Sequence, residues 1–572
     1  MQTAIQRCEI PIHTLRLKLP EKQCDAPERL WSERLIAIGM FVVSFLYLYL
    51  FRRATWIDLD EGIILQGAQR ILDGQVLYRD FFSFFTPGSY YFLALVFRIF
   101  GDSYLVAHTV LAVVGAAYSP ITYLLSRRVC GRQASLLVTA LMAITALPLR
   151  FVVLHNWDST LLTCLALYSG VRLLETSGTK WAFAAASFAS LTVLFEQSKG
   201  AGLLLGIGLG FGIIAFYRRD LNMFNRRQFT AITLGLAWPL AITFLYFASQ
   251  HALVEMLKSW FWPLQHYSTS NKVPYGYGNL PEETQYKLFH TGSWAMQLVI
   301  RLVFAPRFWI PFLPLFGVAL LVRLTVPRWR RIPLDDNWAY YVLVSAVIVG
   351  LLPTIIAVRA DYIHFFFLQP VFFLLIAWLL DGKEIRSNFI RKQVPVVGFY
   401  LCISSLAMGA QGFIFQAMST NKVETRRGTL EMGTKDMVVD YIQAHVPAGE
   451  TILFYPYMAT YYYLTETYSP TRFEFSQPGM HTYEQVEQMQ REFSAHPTRY
   501  ILYEPAFPDH IHDSWPNTPA EALSRDPLAT YIAQHYRPCR VLNSATNWHF
   551  LFMARHDVGC PSDLPDMRVT QR

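Results

Sequence analysis

The strongest constraint in this sequence is the recurrence of apolar blocks about as long as a lipid bilayer is thick. A spanning helix needs about 20 mostly apolar residues. Blocks near that length fall at 35–51, 104–125, 134–153, 159–174, 181–195, 201–217, 229–249, 304–324, 338–357, 365–380 and 394–416. Short basic clusters separate them: Arg127, Arg128 and Arg132; Arg218, Arg219, Arg226 and Arg227; Arg323, Arg328, Arg330 and Arg331; Lys383, Arg386, Arg391 and Lys392. Charged residues are only 16% of the 572, against roughly 25% in a soluble globular chain. The pattern predicts an α-helical polytopic membrane protein with about eleven spans. It excludes a cytosolic enzyme, a disordered chain and a small disulfide scaffold. The formal charge of +8 would suit a nucleic-acid partner, yet no polar stretch interleaves basic residues with aromatics, so no nucleic acid is expected.

The polar leading segment contains Glu21, Lys22, Asp25, Glu28 and Arg29 and lacks the apolar core of a cleavable signal. The first block therefore reads as a retained anchor with its amino end in the cytoplasm, and every basic cluster then falls on that side. The expected organisation is a cytoplasmic segment 1–34, a multi-span domain 35–416 and an extracytoplasmic α/β tail 417–572. Loops at 52–103 and 251–305 would also lie outside. In the tail, 437–445 and 483–493 read as helices, and 451–455, 499–503 and 549–553 as strands. Cys539 and Cys560 both fall there. A disulfide persists in an oxidising compartment, but spacing alone leaves a pair and two free thiols equally open.

The first loop carries the densest chemistry. Trp56-Ile57-Asp58-Leu59-Asp60-Glu61-Gly62 places three carboxylates within four positions directly after the first block. Residues 63–72 then show helical apolar spacing suited to lying on a membrane surface. Tyr78-Arg79-Asp80-Phe81, Thr86-Pro87-Gly88 and an apolar run at 89–100, too short to span, follow. Acidic groups at a bilayer boundary are costly unless they face water or a partner, which makes them site candidates. The plainer reading is that they cap the helix behind them.

Four further groups of residues have the same two-sided character. Arg359-Ala360-Asp361-Tyr362-Ile363-His364 directly follows a block, so it either anchors a helix end or holds a phosphate with the Arg fork. Glu196 and Lys199 either pair within their loop or offer Lys199 to the same phosphate. His155 and Asp158 are candidate ligands for acceptor, sugar or a divalent ion, although a metal site usually needs three or more ligands. Trp260, Trp262 and Tyr267 read mainly as interfacial anchors, with sugar stacking as the alternative.

The order of pieces in the first loop (anchor, Asp60-Glu61-Gly62, short helix, Gly74, Tyr78-Arg79-Asp80-Phe81, Thr86-Pro87-Gly88, Phe100-Gly101) resembles that of bacterial polytopic GT-C glycosyltransferases. That superfamily includes the protein O-mannosyltransferases and the lipid A aminoarabinose transferase. His155-Asn156-Trp157-Asp158, Arg359-Ala360-Asp361-Tyr362-Ile363-His364 and the span pattern extend the likeness. The resemblance implies a transferase in the bacterial inner membrane. It would move a sugar from a polyprenyl-phosphate donor to a hydroxyl acceptor on a protein, lipid A or a polysaccharide, with inversion.

By position Asp60 would be the base or acceptor-orienting carboxylate, with Glu61 its catalytic neighbour. Arg359, His364, Lys199 and Arg79 are the chosen donor-phosphate cations, from a wider set that includes Lys258, Arg301 and Arg307. Asp58, Asp80, His155, Asp158 and Asp361 are candidates for acceptor, sugar or metal. Thr86-Pro87 stands where the family often has two prolines. Phe85-Thr86 replaces a Glu-Lys pair of the aminoarabinose enzyme, so no metal role transfers there and any cofactor stays open. Two other classes remain: a transporter or flippase of a lipid-linked sugar, which would favour inverted repeats not found here, and a silent sensor whose tail binds glycans.

Overall fold

A computed structural model of the chain describes residues 27–561 apart from 146, 221–222, 267–269, 279–281, 328–335, 382–387 and 546–547. Tyr267, Arg328, Arg330, Arg331, Lys383 and Arg386 lie outside the described residues. The helical part runs α1 (Pro27–Tyr49), α2 (Leu59–Leu72), α3 (Gly88–Phe100), α4 (Tyr104–Ser126), α5 (Arg132–Ile144), α6 (His155–Thr176), α7 (Thr179–Phe195), α8 (Gln197–Arg218) and α9 (Arg226–Ser249). It continues through α10 (Leu253–His266), α11 (Glu282–His290), α12 (Trp294–Trp309), α13 (Phe312–Thr325), α14 (Asp336–Val358), α15 (Tyr362–Phe367), α16 (Gln369–Asp381) and α17 (Asn388–Met418).

Among the described residues, 7 helical stretches are long and apolar enough to cross a bilayer. Trp294–Trp309 and Phe312–Thr325, bent by 42°, make an eighth when taken together. The chain is a multi-pass membrane protein. The predicted blocks at 159–174, 181–195 and 365–380 fall on α6, α7 and α16. These do not meet that criterion, because α7 and α16 are short and α6 opens with His155, Asn156, Asp158, Ser159 and Thr160. The count of eleven is therefore not reached on length and apolarity.

Ion pairs gather particular helix ends. Glu33 near the start of α1 meets Arg127 (3.2 Å) and Arg132 (2.8 Å) between α4 and α5. Glu175 at the end of α6 takes Arg128 (2.6 Å) and Arg172 (2.5 Å). Basic turns at 127–132 and the end of α6 thus share one end of the bundle. Inside it, α8 and α14 cross backbone to backbone. A Cβ on Gly202 would stand 2.6 Å from the Gly350 carbonyl, and one on Gly350 2.3 Å from that of Gly202, the close approach that small residues permit between helices in lipid.

The tail comprises a hairpin of β1 (Asn421–Thr425) and β2 (Gly428–Met432), then α18 (Met437–His445), β3 (Leu453–Tyr455), α19 (Ala459–Thr465), α20 (Tyr483–Ala495) and β4 (Tyr500–Tyr503). α21 (Phe507–Ser514), α22 (Ala520–Ser524), α23 (Pro527–His535), β5 (Tyr536–Asn543) and β6 (His549–Arg555) complete it. The main sheet has the order β3-β4-β6-β5, parallel between β3 and β4 and antiparallel elsewhere. Alternation along the strands gives it two buried faces. Leu453, Tyr455, Ile501 and Met553 pack with Met489 and Phe493 of α20 and with Leu528 and Ile532 of α23. Phe454, Leu502 and Phe552 on the other face belong to a buried cluster that continues into the first loop and the bundle. Cys539 and Cys560 are joined in a disulfide.

α2 does not lie on a membrane surface as its apolar spacing suggested. Residues 61–70 are buried on every side, because the tail covers the face that a lone amphipathic helix would give to lipid. β2 also pairs with the chain entering α2: Thr55 N donates to Glu431 O and Glu431 N to Arg53 O, both at 2.9 Å. Against α2 sits α19, and a Cβ on Gly62 would stand 2.0 Å from Thr460 N. Gly62→Val is expected to lower stability by about 2 kcal/mol or more through overpacking, read as a reduced Tm of the purified protein in detergent. Ala at Gly39, where a Cβ meets nothing within 4 Å, is expected to leave the Tm unchanged.

Candidate active site

The site is built on the first turn of α2. Asp58 caps the helix, accepting from Asp60 N at 3.0 Å. The helix dipole favours negative charge at this end. Successive residues then point about 100° apart, so the neighbouring acids part company. Glu61 turns inward with no exposure. Its Oε1 accepts from Val153 N (2.7 Å) and lies 2.7 Å from His108 Nε2, while Oε2 accepts from Tyr104 OH at 2.9 Å. All this fixes α2 to α4 and to the segment before α6. Asp60 turns outward, its side chain 43% exposed.

Between Asp58 and Asp60 stands Arg150, in the segment joining α5 to α6. Nη1 reaches Asp58 Oδ2 at 3.1 Å and Nη2 donates to Asp60 Oδ2 at 3.2 Å. The tail supplies a third contact, Tyr457 OH donating to Asp60 Oδ1 at 2.7 Å. Thr460 locks the arrangement: its hydroxyl accepts from Gly62 N at 3.1 Å and donates to the Asp58 carbonyl. Enclosure by surrounding protein and the adjacent Asp58 charge raise the proton affinity of Asp60, while Arg150, the Tyr457 hydroxyl and Arg359 pull it down.

Arg150 also lines a cavity of about 280 Å³ with Arg307, Trp157 and Gln411, walled by Trp56, Leu149, Tyr362, Phe366, Phe367 and Phe415. Arg150 Nε, Arg307 Nε, Trp157 Nε1 and Gln411 Oε1 are buried without a hydrogen-bond partner. The Arg307 guanidinium rests on the rings of Phe304 (4.2 Å) and Tyr362 (4.9 Å). Three unmatched N–H donors beside an apolar aromatic wall suit a ligand with an anionic head and a greasy tail, since buried donors are expensive to leave unmet.

The other expected site residues are differently engaged. Arg359 donates through Nε to Asp361 Oδ2 at 2.6 Å and through Nη2 to the Ser514 carbonyl of the tail. It is buried, and its charge reaches Asp60. Asp361 also caps α15, accepting from His364 N at 3.0 Å, and lies 2.6 Å from His364 Nδ1. Lys199 Nζ meets Glu196 Oε2 (2.8 Å), Asn156 O (2.9 Å), Ser159 Oγ (2.8 Å) and Thr160 Oγ1 (3.1 Å), which leaves a phosphate nothing to bind. Arg79 grips Asp80 with two hydrogen bonds of 2.8 Å and also donates to Gln250 O. Neither joins the Asp58–Asp60–Arg150 cluster through any hydrogen bond or ion pair among the described residues. His155 packs on Phe85 with ring centres 4.3 Å apart, and Asp158 accepts from Ser89 Oγ at 2.6 Å. Among the described residues no group of three or more His, Cys, Asp or Glu is placed to share a metal ion. Trp262 meets Phe82 edge-on at 5.9 Å, and Trp260 donates to Tyr78 OH at 3.0 Å.

Comparison with known proteins adds the fold family. Residues 86–247 match a family model described as dolichyl-phosphate-mannose-protein mannosyltransferase. That stretch holds Arg150 and Trp157 but begins after Asp60. The crystal structure of ArnT from Cupriavidus metallidurans bound to undecaprenyl phosphate aligns over 94% of this chain and 100% of its own, at 12% identity and a TM-score of 0.52. The chain has the GT-C fold. AglB from Archaeoglobus fulgidus, solved with an inhibitory peptide and a dolichol-phosphate, aligns over 91% of this chain and 74% of its own at 11% identity, with a TM-score of 0.47. No curated protein matches by sequence.

Within this GT-C chain, Arg150 and Tyr457 were not singled out from sequence. Arg150 disappears into the apolar block 134–153, although an arginine inside such a block is itself a functional signal. Nothing local marks Tyr457, whose contact with Asp60 spans 397 positions. Replacing Arg150 by Met leaves two neighbouring carboxylates unneutralised, at an expected cost of about 2 kcal/mol at pH 7, below the buried-pair figure because the site is partly exposed. With Arg150 gone the folded-state proton affinity of Asp60, already raised, rises further above the unfolded value, so the folded form binds more protons and stability falls as pH rises. The Arg150→Met deficit in Tm is therefore expected to shrink between pH 7 and pH 5. A deficit independent of pH would mark a packing loss instead.

Proposed function

We propose that the protein is a membrane glycosyltransferase that moves a sugar from a polyprenyl-phosphate donor to a hydroxyl acceptor. The observation that carries this reading is the adjacency of a partly open carboxylate, Asp60, to a cavity with unmatched guanidinium donors and an aromatic wall, bridged by one residue, Arg150. The GT-C fold, shared with a protein solved with undecaprenyl phosphate, supports it.

The acceptor hydroxyl approaches the anomeric carbon from the side opposite the phosphate. Asp60 takes its proton as the new carbon–oxygen bond forms, since a hydroxyl is a poor nucleophile unaided. The bond from the anomeric carbon to the phosphate oxygen breaks and its electron pair leaves with the lipid phosphate. Single displacement inverts the anomeric centre. Arg150 and Arg307 meet the charge gathering on the phosphate, and donors fixed in place before the reaction stabilise that charge most effectively. Phe366, Phe367 and Phe415 shelter the first isoprene units. In this assignment Arg359, Asp361 and His364 hold the tail and tune the field around Asp60, and Glu61 anchors α2.

The reaction is assigned to the outer face of a bacterial inner membrane, with the amino end in the cytoplasm and the tail outside. Two observations support that side: basic turns gathered at one end of the bundle, as the positive-inside bias requires, and the Cys539–Cys560 disulfide in the tail. Purified protein incubated with polyprenyl-phosphate sugars and an acceptor is expected to release free polyprenyl phosphate. Asp60→Asn is expected to reduce turnover about 100-fold or more while remaining folded. Because the proton affinity of Asp60 is raised, the acid limb of the rate profile is expected above the ordinary Asp value of about 3.9. Activity falls below that limb, where Asp60 carries a proton. Wild-type turnover by folded Asp60→Asn would overturn the assignment of the base.

A further inference from the structure

The tail touches the candidate base directly. Tyr457 OH donates to Asp60 Oδ1 at 2.7 Å while Arg150 Nη2 holds Oδ2 at 3.2 Å, so each carboxylate oxygen is fixed by one donor from a different part of the chain. The tyrosine is itself immobilised. The residue is 5% exposed, and its ring is boxed by Phe475 (5.0 Å, edge-on), Trp515 (5.7 Å, edge-on) and Phe507 (6.4 Å, stacked). β3 ends two residues before it and α19 starts two residues after it, and Thr460 in α19 sits on Gly62. A hydroxyl so constrained is held against Asp60, the proposed base.

We propose that Tyr457 is a positioning residue for Asp60, so that the tail completes the transferase site rather than only covering it. The inference rests on Asp60 acting as base. With one lone pair of Oδ1 taken by the phenol and Oδ2 turned toward Arg150, the carboxylate cannot rotate freely, and its remaining lone pairs keep a fixed direction. A hydrogen bond to the ionised form also favours that form. The charged and titratable groups facing Asp60 are Asp58 beside it, Arg150 from the α5–α6 segment, Arg359 with its partner Asp361 after α14, and Tyr457 from the tail. Of these, the tyrosine can lose its contact with Asp60 by removal of a single oxygen, with formal charge and ring packing kept.

The test is Tyr457→Phe in the full-length protein, assayed with a polyprenyl-phosphate sugar across pH. The ring and its packing stay, and only the hydroxyl is lost. Expected is a fall in kcat of about tenfold, the size of one hydrogen bond to a charged group. The acid limb is expected to move to higher pH by about one unit, with donor KM unchanged within twofold and an unaltered Tm. A purely structural role would lower the Tm and leave the limb in place. Fluorinated tyrosine at position 457, with the same shape and a stronger donor, is expected to move the limb to lower pH, and supplies the same test should Tyr457→Phe fail to fold. An unmoved limb in either variant overturns the inference. Asp60→Asn in the same assay separates the two claims. If it keeps turnover, the base assignment itself fails; if it is inactive while Tyr457→Phe behaves as wild type, only the role of the tyrosine falls.

Discussion

Asp58 and Asp60 stand on the first turn of one helix, and their mutual repulsion has to be met before anything else at this site can exist. Arg150 meets it with two separate N–H groups, one for each acid. The guanidinium is rigid and planar, which lets it hold both at once where an ammonium would offer a point charge. Because the same residue lines the cavity and keeps a buried Nε without a hydrogen-bond partner, charge balance in the resting state and charge stabilisation in the proposed reaction fall to one side chain. Glu61, one position along, is removed from this electrostatic problem by helix geometry and ties α2 to His108, Tyr104 and Val153.

Much of this was legible from residue order alone. Apolar blocks read as helices because lipid leaves a spanning backbone no other way to satisfy its own polar groups, and the tail helix at 437–445 coincides with α18. The acid cluster after the first block falls on the turn of chain where the proposed base stands, the start of α2. What could not be read was how its members divide, since that depends on which side of α2 each faces. Lys199 and Arg359 each have a carboxylate close by in sequence, Glu196 and Asp361, but the contacts that complete their engagement are remote or belong to backbone: Thr160 and Asn156 for the first, Ser514 for the second. Arg150 carried a local signal that its apolar surroundings hid. Tyr457 carried none.

The tail is joined to the rest by more than a linker. Its β2 strand pairs with the chain leading into α2, its α19 rests on Gly62, and one face of its sheet shares a buried cluster with the bundle. α2 is consequently held from below by the bundle and from above by the tail. That double grip explains how a helix with apolar spacing suited to a membrane surface comes to be buried over residues 61–70, and how a short acidic turn is held in place.

The central claim is that Arg150 and Arg307, beside Asp60, receive the anionic head of a lipid donor. A structure determined with undecaprenyl phosphate bound tests it most directly. The account predicts the phosphate within hydrogen-bond reach of both guanidinium groups, with the chain running along Phe366, Phe367 and Phe415. A phosphate seated on Lys199, or on Arg79 away from the α2 turn, would contradict it.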